Sequence, residues 1–195
     1  WTKLERFQRT RGVLRLMSAV VHALYNSKDD SPLIMVGSVP LDVPDVRDEL
    51  ARYLDPAWKA IIEKDIDGEL STSVAIDKEK PLFGKRALTR RIARTSFISS
   101  VATLGTAHKG AERKEIFLGV AMPGDTVGNF GSALDLLGDR STYLYNESGR
   151  YWFDRQPSLN RVVSEKAESY SQADIWAEII ARLRREPKQT AELAD

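Results

Sequence analysis

The chain has 195 residues, with 29 basic against 28 acidic side chains and a formal net charge of +1, so no global field points to nucleic acid and any basic patch must be local. It contains no cysteine, which excludes disulfides, thiolate zinc sites and cysteine nucleophiles and suits a cytoplasmic protein. No apolar run approaches the roughly 18 to 20 residues of a membrane helix, and no signal peptide opens the chain.

This length suffices for one substantial core or two small ones. The first residue is Trp1 rather than Met, which predicts a piece of a longer protein, one that lacks the parts that do chemistry. Residues 4 to 25 place Leu4, Phe7, Leu14, Met17, Val21 and Leu24 at three- and four-residue steps, the pattern of a long amphipathic helix. It stops in NSKDDSP. Leu33 to Val39 is a short apolar run, either a buried strand or an extended pass along the core. Pro44 starts a second helix with Asp42 as its cap and Val46, Leu50, Tyr53 and Leu54 as its stripe. A restart at Pro56 carries Trp58, Ile61 and Ile62 toward Lys64.

Residues 65 to 81, DIDGELSTSVAIDKEKP, hold few large apolar side chains and many turn formers, and predict a linker between domains. The organisation expected is a helical segment over 1–64, that linker, a second domain over 82–156 and a C-terminal helical segment over 157–195. In the second domain, Leu88 to about Leu104 is helical, Glu112 to Ala121 is a short helix, and Asp125 caps a third helix that ends at Gly138.

The stretch Ser141 to Pro157, STYLYNESGRYWFDRQP, reads as a hairpin closed by Asn146 and Arg150, with a type I turn and a G1 bulge at Gly149. That register sets Tyr145 opposite Tyr151, Leu144 opposite Trp152 and Tyr143 opposite Phe153, so one face carries four rings. Aromatic cross-strand pairs of this kind most often build a small core. Three short helices followed by a ribbon is the order of a winged helix-turn-helix. The fold class expected is therefore mainly α with a small β-hairpin. A capping box at SQAD, Ser171 to Asp174, opens a final helix with Ile175, Ile179, Ile180 and Leu183 along its stripe.

Catalytic patterns are sparse. Gly105 and Gly110 bracket TAHK, but Ala111 and Glu112 follow where a Walker motif needs Lys and Ser or Thr. His22 and His108 stand far apart in no metal-ligand pattern, and Asp65, Asp67 and Glu69 lack the downstream bidentate Glu of a calcium loop. The basic cluster is the stronger signal. Lys85, Arg86, Arg90, Arg91, Arg94, Lys109, Arg113 and Lys114 stand against only Glu112 and Glu115, and Arg150 and Arg155 flank the ribbon. Such a surface suits phosphates, with Arg86, Arg90, Arg91, Arg94, Lys109, Arg113, Lys114 and Arg150 as candidate nucleic-acid contacts. Against it, the helix in the reading position, Thr126 to Gly138, holds Asp135 and no basic residue, and a solvated face of ion pairs is the competing account.

Two strings near the start, RTRGVLRLMSAVVHALY and SPLIMVGSVPLDVPDVRDELARYL, resemble the large prokaryotic ATPase family known as domain of unknown function 499, encoded in anti-phage defence islands. FGKRALTRRIARTSFISS and STYLYNESGRYWFDRQPSLNR resemble the parts that follow, so the likeness runs over most of residues 1 to 164. The resemblance implies an AAA-type ATPase whose core, with ATP and Mg, lies N-terminal to this chain, while the chain carries a helical lid and a winged-helix-like segment. It further implies a nucleotide-sensing arginine on the lid helix, at Arg11 or one turn on at Arg15. Expected partners are that core, DNA, and methyltransferase or helicase defence proteins, with no membrane. Without Walker motifs the chain alone is not expected to hydrolyse ATP.

Overall fold

The computed structural model describes residues 10–29, 31–52 and 54–185. It is mainly helical with one small antiparallel sheet. Two compact units divide after Ser158. Leu4, Phe7 and Tyr53 of the expected helical stripes, and residues 188 to 195, lie outside the described residues.

The first unit opens with α1, Thr10–Asn26, which packs on α2, Pro44–Ala51. Between them the run Leu33 to Val39 forms no strand, only a 3₁₀ turn at Val36–Ser38 set against α6, Leu88–Ala102. The stripe expected to be buried on α1 is open: Leu14 is 63% exposed, Met17 43% and Val21 50%. The helix instead buries Leu16 and Val20, with Leu24 partly covered. Apolar residues spread round more than half of α1, so periodicity alone selected the wrong stripe.

The chain continues through α3, Ala57–Ile61, into a π-helical turn at Ile62–Ile66, then α4, Thr72–Glu79, and the single turn α5, Pro81–Gly84. Residues 65 to 81 of this run were expected to be a linker, and the structure overturns that expectation. Ile62, Ile66 and Ile76 are fully buried, as are Asp65, Asp67, Ser71 and Ser73. In a regular helix residues two apart do not face the same way. The wider π turn, and the helix exit at Asp67 (φ −151°, ψ 14°), allow both aspartates to enter the interior. The helical segment before it and the domain after it consequently share one unit.

Around α6 the core closes. Ile92, Ala93 and Phe97 are buried without remainder, and Phe97 meets Trp58 edge-on at 5.6 Å. Ala87, left-handed at φ 49°, precedes the helix, whose first free N–H groups, on Thr89 and Arg90, donate to Asp77 of α4 at 3.0 and 3.1 Å. The chain then runs through β1 (Ala111–Glu112), α7 (Arg113–Val120), α8 (Gly128–Arg140), β2 (Leu144–Glu147) and β3 (Arg150–Phe153). The strand order is β1-β3-β2, antiparallel throughout. A capping box of Glu112 and Glu115 opens α7.

The hairpin forms one register step away from the expected one. Leu144 faces Phe153, Tyr145 faces Trp152 and Glu147 faces Arg150. Ser148 (φ 51°) and Gly149 (φ 75°) are both left-handed, which makes a two-residue turn of the I′ kind in place of a type I turn with a bulge. That one-residue change moves side chains between faces. Leu144, Tyr151 and Phe153 are buried, while Tyr145 and Trp152 stack on the outer face at 5.5 Å and 11°. The face of four rings therefore does not exist.

The second unit comprises α9, Leu159–Glu168, and α10, Gln172–Arg185. Ser171 caps α10 by accepting from the Asp174 N–H at 3.2 Å.

Candidate functional site

The basic segment sits on the most buried helix of the fold. Arg90 and Arg94, one turn apart on α6, converge on Asp67. Arg90 donates from Nε at 2.8 Å, Arg94 donates from Nε and an Nη at 2.8 and 2.9 Å, and the backbone N–H of Asp42 adds a bond at 2.7 Å. Asp42 also takes Arg94 at 2.9 Å and lies 3.3 Å from Arg90. The Asp42 side chain is therefore not the cap of α2, whose N-cap is Val43 without a side-chain bond. The Asp67 side chain is 0% exposed and that of Arg94 is 11% exposed. Burial pushes the Asp67 carboxyl upward, and Arg94 and Arg90 pull against it. Asp65 follows the same rule: burial raises it, against an N–H from Tyr143 at 2.8 Å and a hydroxyl from Thr72 at 2.8 Å.

Arg91 and Arg86 form a second knot. Arg91 grips Asp125 with both Nη atoms, at 2.8 and 3.0 Å, and donates to the Val120 carbonyl at 2.6 Å and the Arg86 carbonyl at 3.0 Å. Arg86 donates to the Pro123 carbonyl at 2.6 Å and to Asp125 at 3.2 Å. Asp125, expected to cap the third helix, is engaged here and accepts from the Met122 N–H instead; α8 starts at Gly128 behind Val127. Burial pushes Asp125 up, but the Arg91 hydrogen bond and charge outweigh it and the carboxyl lies below its usual value.

The other candidate cations are on the periphery. Lys109 reaches Asp154 at 2.8 Å, Lys114 reaches Glu112 at 2.8 Å, and Arg113 pairs with Asp135 and donates to the Tyr151 hydroxyl at 3.1 Å. Arg150 donates to the Lys109 and Gly110 carbonyls at 3.0 and 2.8 Å and meets Glu112 at 3.3 Å. All eight cations singled out from the sequence thus have an acceptor within the chain. Of the carboxylates that serve them, Asp42, Asp67, Asp125, Asp135 and Asp154 lie outside the basic stretch, and Glu112, which serves Lys114 and Arg150, lies within it. The exposed residues of α8 are Gly128, Ser132, Asp135, Asp139 and Arg140.

Arg11 is exposed on α1, and Arg15 one turn on lies 3.6 Å from Glu49 of α2. His22 on the same side is exposed and bonds Asn26 at 3.0 Å. Beside this polar edge runs the open stripe of Leu14, Met17, Val21 and Tyr25. Sequence reasoning missed this surface because it assigned the stripe to the core. It missed Asp67 because a polar run was equated with solvent. The apolar positions Ile62, Ile66 and Ile76 on either side of the aspartates were the available signal.

Among the described residues no group of three or more metal-ligating side chains is brought together, and no helix is long and apolar enough to cross a membrane. What stands is a mainly helical module organised round one buried arginine-bearing helix, with a small three-stranded sheet on it. The chain belongs to the family described as the DUF499 second domain, whose model matches residues 2–124. That match covers α1 through α7 and ends before α8 and the hairpin. Neither a curated protein nor a solved structure matches the chain.

Proposed function

We propose that this chain is a non-catalytic docking module of an ATP-dependent DUF499 protein, with a winged-helix-like half that meets protein in place of DNA. The observation that carries this reading is the internal use of the basic segment: its arginines hold the fold together. The order α6, β1, α7, α8, β2, β3 with strand order β1-β3-β2 supports the winged-helix comparison. In such a module α8 is the helix that would enter a groove, and its exposed residues carry Asp135 and Asp139 against Arg140 alone, a net negative charge toward a polyanion.

The docking face is the open apolar stripe of α1. Its occupant in this reading is the nucleotide-binding core of the same polypeptide, where ATP and Mg would be held. In this reading Arg11, or Arg15 one turn on, senses the nucleotide through the fork that guanidinium offers to phosphate oxygens. Phage defence, and the methyltransferase or helicase partners, come from the family resemblance.

Two measurements test this. In the longer protein, Met17→Asp and Val21→Asp should lower ATP turnover, while in this chain alone they leave the melting temperature nearly unchanged because both sites are already open. A large loss of stability in the chain alone would mean that the stripe belongs to its own core. For DNA, Lys109→Glu, Arg113→Glu and Lys114→Glu are the informative reversals, because Arg90, Arg91 and Arg94 are architecture. Duplex binding at about 50 mM salt that these reversals abolish would return the function to nucleic acid.

A further inference from the structure

The α9–α10 hairpin leaves its own apolar face uncovered. Nine large apolar side chains from Leu159 to Leu183 are between 41% and 77% exposed, among them Val163, Tyr170, Trp176, Ile179 and Ile180. Two short helices with so little burial lack the tertiary packing that normally holds helices of this length. On α10, Ile175, Trp176, Ile179, Ile180 and Leu183 fall on one stripe, and Glu178 and Arg182 line one edge of it.

We infer that α10 pairs antiparallel with α10 of a second copy of this chain. The argument is the charge order along the helix. Asp174 and Glu178 occupy the first half, Arg182 and Arg184 the second. Aligned antiparallel about its middle, the stripe sets Trp176 level with the second copy's Leu183 and Ile179 level with its Ile180. Glu178 then comes alongside Arg182 of the second copy, twice by symmetry. A parallel pair levels acid with acid and base with base, and gains none of this. Each partly open aliphatic side chain has roughly 30 to 60 Å² left to bury, and the aromatics more. The five on α10 supply on the order of 300 Å² per copy, or about 600 Å² in all, the size of a weak, transient contact. Association is therefore expected to be weak and concentration-dependent.

This pairing does not depend on the proposal for α1. Its test is sedimentation of the whole chain from about 10 µM to 1 mM, a range that spans a weak association. The expected result is a rise toward twice 21.9 kDa. Glu178→Arg and Arg182→Glu, both at exposed positions that also form an ion pair within the helix at 2.9 Å, should each weaken self-association by about tenfold or more. An equal mixture of the two variants should dimerise, because one helix edge is then wholly basic and the other wholly acidic. Circular dichroism checks that both remain helical. A wild-type chain that stays monomeric overturns the inference and leaves the stripe to another partner. Single variants that dimerise like wild type, or a mixture that stays monomeric, overturn it equally.

Discussion

Replacing Asp67 by Asn tests whether the arginines of α6 are structural. The carboxylate is fully buried and accepts from Arg90, from Arg94 twice and from the Asp42 N–H, all between 2.7 and 2.9 Å. An amide keeps one oxygen and turns an NH₂ group toward two guanidinium groups. Breaking a buried ion pair from one side costs about 3–5 kcal/mol, because the remaining charge is left without compensation. The lower end applies, since Arg90 is 27% exposed and both arginines retain Asp42. A loss of about 3 kcal/mol corresponds to a melting temperature lower by roughly 6–12 °C for a chain of this size. Urea unfolding of the whole chain gives the free energy, and Asp42→Asn is the comparison. Asp42 touches the same arginines from a side chain that is 47% exposed, so its loss should cost below about 1 kcal/mol. If Asp67→Asn also costs less than about 1 kcal/mol, or if the two variants are equal, residues 65 to 71 are not core and the arginines are free for a ligand.

Further outcomes follow from the same packing. At Gly110 (φ 63°) a Cβ would stand 2.0 Å from the Tyr151 carbonyl oxygen, whereas at Gly149 (φ 75°) it meets nothing within 4 Å. Gly110→Ala should therefore cost about 3 kcal/mol or more and Gly149→Ala only about 1 kcal/mol, by thermal or urea unfolding. Tyr145 and Trp152 should show a coupling of about 0.5–1.5 kcal/mol in a double-mutant cycle, and no coupling would mean that the hairpin has the register with Tyr145 opposite Tyr151. Asp125 lies below its usual value of 3.8 in the folded chain, so the unfolded chain takes up that proton more readily. The stability it confers is present above that value and is lost as pH falls through the folded one. The gap between wild type and Asp125→Asn should therefore narrow below about pH 4, and a gap constant with pH would refute the Arg91–Asp125 assignment.

Periodicity and turn chemistry made the helices legible. The α6 pattern of Leu88 and Ile92, the restart at Pro56, the cap at Ser171 and the existence of a hairpin around Asn146 to Gly149 are all local, and local sequence decides them. Two failures were also local in scale but lay at the limit of the signal. The strand β1 has two residues, too few to show a period of two. The hairpin register turned on whether Ser148 would take a positive φ, which serine does uncommonly. On α1, apolar residues cover both the buried and the open stripe, and only the position of α2 decides between them.

Charge was the least legible property, and its failure has a definite cause. Counting between Lys85 and Glu115 finds a basic island because the partners are elsewhere: Asp67 and Asp42 lie 27 and 52 residues before Arg94, and Asp125 lies 34 residues after Arg91. The matching error occurred at 65 to 81, where aspartates and serines suggested solvent. These were one error seen from two sides. A buried arginine needs a carboxylate that is buried with it, so an excess of arginine on an otherwise apolar helix and a pair of aspartates flanked by isoleucines are complementary halves of a single interior network. Read together, the amphipathic side of α6 carrying Ile92 and Phe97 directly beside Arg90, Arg91 and Arg94 already argues for interior use. The cations that remain to meet a partner are then the peripheral ones, Lys109, Arg113 and Lys114, whose carboxylates Asp154, Asp135 and Glu112 are 32%, 54% and 42% exposed.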